Sequence, residues 1–267
     1  MKILLVADLH YDLRKFDWVV QAADHVDVVV IAGDHLKDGL NVPLPAQAVV
    51  VQRYFQIIRV KRPLLACSGN ADIDWRDEAG EPVARWLDKG RYLDVAVDGD
   101  AKAIGDTLFS VCPWVDGPAR QRAVGEQLSF DNTFRPTRWI WVSHAPPSAT
   151  SISWNGVEDA GDEPLRVRAE EYQPDFVLSG HVHAAPFTEG GSWTDWIGGT
   201  AVFNAGHEDG PVPSHIVIDT DLPRAYWVSR AAVETVELAG PPEGPRAIDI
   251  VPDWLAAMGS GAARRRA

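Results

Sequence analysis

Residues 28–38 read VVVIAGDHLKD, and this stretch decides how the rest of the chain is organised. Four β-branched residues are followed at once by a turn of small residues that ends on Asp34. A short apolar run with a turn signal after it is typical of a strand that is buried on both faces. Ligands of open α/β sheets gather at the carboxyl ends of such strands, so Asp34 is placed where a shared metal ligand would be useful.

Similar apolar runs alternate with helical periodicity on both sides of this stretch. Residues 3–7 predict a first strand, residues 16–25 a helix, residues 46–60 a second helix and residues 63–67 a third strand. Further on, the pattern predicts a short helix over residues 82–87 and strands over residues 92–97, 101–104, 107–111, 138–142, 176–180, 200–204, 215–218 and 225–228. Strands that alternate with helices predict an α/β fold.

The length and composition are those of one ordinary globular domain. The chain has 267 residues, of which 46% are hydrophobic and 24% charged. We expect the domain to span residues 1–239. Residues 240–267 are dominated by Pro, Gly and small residues and carry three arginines at positions 264–266, which predicts a disordered tail.

The charge and the cysteines restrict the classes of function. A formal net charge of -13 makes a long nucleic acid an unlikely partner, because proteins that bind phosphate backbones normally carry a basic patch. The apolar start is too short for a signal peptide, and no stretch reaches the roughly 20 apolar residues that span a bilayer. We therefore expect a cytoplasmic protein that does not bind membranes. Cys67 and Cys112 form no metal-type pair and are expected to be buried thiols.

Potential metal ligands follow the predicted strands in five separate places. Taken singly, each has an ordinary interpretation as a capping acid, a turn asparagine or a loop histidine. The set is more specific than its members: Asp8, His10, Asp34, Asn70, His144, His181 and His183. Oxygen and imidazole donors without thiolates suit Mn, Fe, Zn, Ni or Co. Seven ligands exceed what one ion needs, and they suffice for two divalent ions that share a carboxylate, about 3.5 to 4 Å apart as in two-metal phosphoryl chemistry.

The order of these residues resembles the calcineurin-like metallophosphoesterase family. The family's blocks Asp-x-His, Gly-Asp, Gly-Asn-His-Asp/Glu, a lone His and Gly-His-x-His are matched in turn by Asp8-Leu9-His10, Gly33-Asp34, Gly69-Asn70-Ala71-Asp72, His144 and Gly180-His181-Val182-His183. The resemblance implies a four-layer αββα sandwich of two mixed sheets flanked by helices, with a dinuclear site at one edge. It also implies that Asp8, His10, Asp34 and His183 hold one metal, and that Asp34, Asn70, His144 and His181 hold the other.

Ala71 is the one departure from this pattern. The family usually has a histidine here, which is thought to steady the transition state and to protonate the leaving oxygen. Three explanations stay open: a weakened variant that keeps Asp72, a substrate whose leaving group needs no proton, or another acid in place of the histidine. His35 and His207 are the candidates for that acid, although His35 directly follows Asp34 and its side chain could instead pack on the opposite side.

The resemblance implies hydrolysis of a phosphate ester by metal-activated water. We expect a small phosphorylated substrate, with phosphodiesters slightly ahead of monoesters. Five tryptophans in predicted loops could wall a pocket or stack a base, or could instead cap the sheets: Trp75, Trp114, Trp154, Trp193 and Trp196. The alternative function is a module on the same fold that is catalytically weak or inactive and binds a phosphorylated ligand or a protein.

Overall fold

The computed structural model describes residues 1–134, 137–239 and 244–259. Its strands, in chain order, are β1 (Lys2–Val6), β2 (Val28–Ala32), β3 (Leu64–Cys67), β4 (Trp75–Arg76), β5 (Pro82–Val83), β6 (Ala101–Ile104), β7 (Thr107–Val111), β8 (Arg138–Val142), β9 (Phe176–Ser179), β10 (Thr194–Ile197), β11 (Thr200–Asn204), β12 (His215–Asp219), β13 (Arg224–Val228), β14 (Val233–Glu237) and β15 (Arg246–Ala247). The helices are α1 (Leu13–Ala22), α2 (Leu44–Lys61), α3 (Pro118–Asn132), α4 (Glu163–Tyr172) and α5 (Asp253–Ala257). Short 3-10 helices cover Ala23–His25, Asn70–Asp72, Arg85–Leu93 and Ala185–Phe187.

Two mixed sheets form the centre of the domain. The larger sheet has the strand order β15-β14-β13-β12-β1-β2-β3, and the smaller has the order β10-β11-β9-β8-β7-β6. In the larger sheet β1, β2 and β3 are parallel. In the smaller sheet β7, β8, β9 and β11 are parallel. Each sheet therefore has one edge where the carboxyl ends of several strands lie side by side.

Side chains that alternate along the strands form three hydrophobic clusters. In β1, Leu4 faces one cluster, which also contains side chains of α1 and α2. Ile3 and Leu5 face the cluster between the two sheets. A third cluster joins the outer face of the smaller sheet to α3 and α4. The layers are thus helix, sheet, sheet and helix, and the αββα sandwich expected from the sequence is confirmed.

The chain between β3 and β6 departs from the predicted helix and strand. Residues 82–87 form β5 and the start of a 3-10 helix, and residues 92–97 make no regular strand. Asp94 lies in the left-handed region with a φ of 58°, which interrupts an extended chain. Ala96 alone pairs with Leu65, in an isolated parallel bridge.

The C-terminal segment also differs from the expected disordered tail, where the structure describes it. Between residues 244 and 259 the chain adds β15 to the edge strand β14, and α5 places Leu255 in the core. The indole Nε1 of Trp18 donates to the backbone oxygen of Met258 over 2.8 Å. The apolar residues here are too few for a periodic signal, so tertiary contacts decide their structure. Residues 240–243 and 260–267 lie outside the described part, and the boundary at residue 240 stays a prediction.

Within the described ranges, no helix has both the length and the apolar character needed to cross a membrane.

Candidate metal centre

The predicted ligands meet where the carboxyl edges of the two sheets face each other. Those of the larger sheet follow β1, β2 and β3, and those of the smaller sheet follow β8 and β9. Backbone hydrogen bonds join the first two turns, because Asp8 N donates to Gly33 O over 3.1 Å and His10 N donates to Asp34 O over 2.9 Å. The convergence predicted from the sequence is therefore present in the structure.

Left-handed backbone conformations turn the chain at these strand ends. Asp8, His10, Asp34 and His181 have φ values of 55°, 46°, 52° and 68°. Non-glycine residues rarely adopt this region, and such strain persists only where surrounding contacts fix it. The turns bring the side chains of these residues to the edge where the carboxyl ends of the two sheets meet.

The first donor group contains Asp8, His10, Asp34 and His183. One donor atom from each of the four lies within 4.8 Å of the others. His183 Nε2 is 3.1 Å from Asp8 Oδ1 and 3.1 Å from His10 Nε2. Two imidazole nitrogens that face each other and two carboxylates form a donor set of the kind that binds transition metals.

The second donor group shares Asp34 with the first. The Oδ1 atom of Asp34 lies 3.4 Å from His144 Nε2, while its Oδ2 atom lies 3.8 Å from His10 Nε2. His181 Nδ1 is 3.0 Å from Asn70 Oδ1, and the His144 and His181 rings are 5.1 Å apart. The two oxygens of one carboxylate therefore face the two donor groups.

His144 offers a direct test of whether a cation fits. Its Nδ1 lies 2.7 Å from Ala32 O, which fixes the proton on Nδ1. Its Nε2 is buried and has no hydrogen-bond partner among the residues that the structure describes. Leaving a buried polar atom unpaired costs about 1 to 3 kcal/mol, and a metal ion at this position would satisfy it. The residues present fit a bound cation.

The pKa values of Asp34 and His144 show that these two side chains attract each other strongly. Burial alone would lower the pKa of His144, but the carboxylates of Asp34 and Asp8 raise this pKa to about 9. Burial would raise the pKa of Asp34, but His144 and the Ala71 N–H hold this pKa well below its usual value. The raised pKa of His144 means that its Nε2 also holds a proton, which compensates the carboxylates; a metal ion bound at Nε2 would replace that proton.

Two glycines allow the turns to approach the donors. A Cβ atom on Gly69 would lie 2.2 Å from Asp34 Oδ1, and a Cβ atom on Gly33 would lie 2.3 Å from His144 Nδ1. Gly33 also has a φ of +84°. Any larger residue at either position would displace a donor side chain.

Asp72 and His35 lie behind the site and not in it. The Asp72 carboxylate is fully buried and accepts hydrogen bonds from Gly69 N, His35 N, His35 Nδ1 and Leu36 N, at 2.9 to 3.0 Å. The His35 ring is fully buried and packs against Phe55 and Trp86. His35 therefore cannot reach a substrate, and the hypothesis that it replaces the missing acid does not fit this placement.

His207 lies at the edge of the first donor group. Its ring centroid is 4.8 Å from that of His183 and 5.2 Å from that of His10. Burial and, secondarily, the nearby Lys15 lower the pKa of His207 to about 4. A neutral imidazole at neutral pH is a poor proton donor.

Ala71 lies next to the Asp34 carboxylate. Its backbone N–H donates to Asp34 Oδ1 over 2.8 Å, and its methyl group has no proton to give.

Lys15 was not among the residues predicted for the site. It is only 2% exposed, and its Nζ lies 3.3 Å from His207 Nδ1. Burial lowers its pKa. The helical periodicity of α1 was the available signal, because Lys15 precedes Phe16 and lies four residues before Val19, on the buried face.

Trp114 borders the second donor group. Its ring lies 5.1 Å from that of His181 and 5.7 Å from that of His144. A cavity of about 140 Å³ opens beside it, with Ser143, Asp162 and His181 in its lining. Of the five tryptophans singled out in the sequence, Trp193 is buried in the core between the sheets, as in the alternative interpretation.

Comparison with known proteins agrees with this arrangement. Residues 1–185 match the model of the calcineurin-like phosphoesterase family. No curated protein matches the sequence significantly. Among solved structures, the TT1561 protein of Thermus thermophilus has a TM-score of 0.57 at 14% identity, over 89% of this chain and 98% of that protein. Purple acid phosphatase PPD1 from seeds of yellow lupin (Lupinus luteus) has a TM-score of 0.53 at 13% identity, over 96% of this chain and 55% of the lupin chain.

At such identities the solved structures show a shared fold alone. The family model covers most of the chain and includes every predicted metal ligand. This chain belongs to the calcineurin-like phosphoesterase family.

Proposed function

We propose that this protein hydrolyses phosphate esters with the help of two divalent metal ions. The observation that carries the proposal is the position of Asp34, whose two carboxylate oxygens face separate donor groups. A carboxylate in this position is suited to bridging two cations. The cytoplasmic location stays a prediction from the sequence.

Two sets of residues would hold the ions. Asp8, His10, Asp34 and His183 form one set; Asp34, Asn70, His144 and His181 form the other. Their oxygen and imidazole donors suit Mn, Fe, Zn, Ni or Co. Such an ion pair supplies positive charge for the phosphate oxygens and lowers the pKa of the attacking water.

The chain itself holds the donors in place. The carbonyl of Ala32 orients the His144 ring, and the Asp72 carboxylate ties the turn of Asp34 to the turn of Asn70. A ligand whose orientation is fixed before the ion arrives binds it more tightly.

The leaving group receives no help from position 71. Because Ala71 has no proton to donate, we infer that esters with basic alkoxide leaving groups react slowly. General acid catalysis is typically worth about 10²- to 10⁴-fold, and this part of the rate is lost for alkyl esters. Aryl esters, whose leaving groups need no proton, should suffer less.

A preference for phosphodiesters is supported by two cavities. One, of about 140 Å³, lies beside Trp114 and His181; the other, of about 380 Å³, is lined by Phe187, His207 and Arg230. The His181 ring is 5.1 Å from that of His144 in the second donor group, and the His207 ring is 5.2 Å from that of His10 in the first. A phosphodiester carries two organic groups, one for each cavity, whereas a monoester carries one.

The test uses the full chain after removal of metal by chelation. Release of nitrophenol from bis(p-nitrophenyl) phosphate and from p-nitrophenyl phosphate is measured with and without Mn²⁺. We expect metal-dependent release, faster for the diester, and at least 100-fold slower release by Asp34→Asn than by the surface control Asp38→Asn. Release no faster than in the metal-free sample would overturn the proposal of a hydrolase.

Ala71 also favours a second candidate, a module that binds phosphorylated ligands without turning them over. Calorimetry with a non-hydrolysable phosphodiester separates the two functions. Binding that depends on metal, together with no release from any ester, would favour the module.

A further inference from the structure

A third imidazole, that of His207, lies beside the two imidazoles of the first donor group. The ring centroids of His10, His183 and His207 are 4.8, 5.0 and 5.2 Å apart. The backbone N–H of His207 donates to His183 O over 3.2 Å, so the loop after β11 is tied to a predicted ligand.

The hydrogen bond at His207 Nδ1 determines which ring nitrogen is free. Nδ1 lies 2.7 Å from Asp8 O, and a carbonyl oxygen can only accept, so the proton is on Nδ1. The ammonium of Lys15 is 3.3 Å from the same atom, but it is a donor as well and cannot pair with an N–H. With this proton on Nδ1, a neutral His207 ring has its lone pair at Nε2.

This lone pair restricts what His207 can contact. It cannot hydrogen-bond a deprotonated phosphate oxygen, because both atoms are acceptors. It can accept from a hydroxyl group or coordinate a cation. Histidines that bind metals almost always donate the other ring N–H to a carboxylate, a backbone carbonyl or water, as His207 does to Asp8.

We propose that His207 is a further ligand of the ion held by Asp8, His10, Asp34 and His183. The inference rests on the proposed two-metal function and adds to it a residue outside the four donors that lie within 4.8 Å of one another. Binding through His207 would place the ion towards the three imidazoles, or would draw the His207 ring inwards.

A third imidazole changes which metals this position prefers. Imidazole suits Zn, Fe and Ni, whereas carboxylate and water suit Mg and Mn. We therefore expect the intact site to discriminate in favour of Zn²⁺ over Mn²⁺ more strongly than a site without His207.

The test compares the full chain with His207→Ala, His207→Gln and the control His25→Ala, which removes an exposed histidine. Each protein is stripped of metal and titrated with Co²⁺ by calorimetry, and the visible absorption of the bound Co²⁺ is recorded. We expect both His207 variants to bind one of two ions at least about 10-fold more weakly and, because a direct ligand is lost, to change the Co²⁺ spectrum. Repeating the titration with Zn²⁺ and Mn²⁺ should show a smaller ratio of the two affinities in both variants. His25→Ala should match the wild type.

Unchanged affinity and an unchanged Co²⁺ spectrum in both His207 variants would overturn the assignment of His207 and leave the two-metal site intact. A wild-type chain that binds no divalent ion would overturn both proposals. Near-ultraviolet circular dichroism of each metal-free variant establishes that a loss of affinity does not come from unfolding.

Discussion

Loss of the buried Asp72 carboxylate should lower the stability of the protein strongly. It accepts four hydrogen bonds in a fully buried position, two on each oxygen. Asp72→Asn keeps the size of the side chain but replaces one acceptor oxygen with an NH₂ group. In the orientation that retains Oδ1, that group faces the N–H of Gly69 and the Nδ1 of His35.

The expected cost follows from the number of bonds lost. A hydrogen bond to a charged group contributes about 1.5 to 3 kcal/mol, so losing two would lower the free energy of unfolding by about 3 to 6 kcal/mol. The His35 ring could change tautomer and accept from the new NH₂ group, which would restore one bond. The N–H of Gly69 would still face a donor, so a loss of at least about 1.5 kcal/mol is expected. The free energy of unfolding of a typical domain is only about 5 to 15 kcal/mol.

Urea unfolding of the metal-free protein, followed by the fluorescence of its 11 tryptophans, measures this loss. Asp12→Asn is the matched control. Asp12 is the N-cap of α1, where asparagine caps as well as aspartate, and Arg14, its ion-pair partner, is largely exposed. The control should therefore change stability by less than about 0.5 kcal/mol. A loss below about 1 kcal/mol for Asp72→Asn would refute the argument that its hydrogen bonds hold the two turns together.

Three further changes test other parts of the molecule. Gly69→Ala should abolish binding of at least one Co²⁺ ion in calorimetry, because its Cβ would lie 2.2 Å from Asp34 Oδ1; unchanged binding of two ions would contradict the geometry. Burial lowers the pKa of His215 from 6.5 to about 4. Between these pH values only the unfolded chain binds a proton at this imidazole. The stability that this group contributes above pH 6.5 is therefore lost as the pH falls towards 4. The loss from this group is about 3 kcal/mol, and urea unfolding across this range should show a shallower dependence for His215→Asn. Ala71→His should raise kcat for alkyl phosphodiesters by at least about 10-fold and for aryl esters less, whereas equal rates with Ala71→Leu would show that position 71 is not where the acid belongs.

The donors could be predicted from the sequence because each follows an apolar run that is buried on both faces. In β2 all five residues are buried, and the turn after it carries Asp34. Parallel strands of one sheet bring their carboxyl ends to one edge, so local signals predicted that the turn of Asp34 lies beside that of Asp8. His144 follows a strand of the other sheet, and its meeting with Asp34 was implied by the order of the ligand blocks along the chain, not by local signals.

The orientation of His35 could not be predicted from its position next to Asp34. Asp34 adopts a left-handed conformation, and the chain therefore turns so that consecutive side chains point to different places. Asp34 faces the donor groups, while His35 enters the core against Phe55. The helix α5 was missed for another reason, since its stability comes from the contact of Leu255 with the core and not from its own sequence pattern.

Hydrogen bonds to the backbone position much of the site. The turns of Asp8 and Asp34 are joined by backbone hydrogen bonds, and Asp72 joins the turn of Asp34 to that of Asn70. Left-handed residues cost conformational energy, and these bonds offset that cost. Side chains such as His144 are oriented by carbonyl groups of the same framework. When the ligands are ordered in advance, little of the free energy of ion binding is lost in ordering them. The chemical type of the donors then determines which ion binds most tightly. A third imidazole, from His207, would shift that preference towards Zn²⁺.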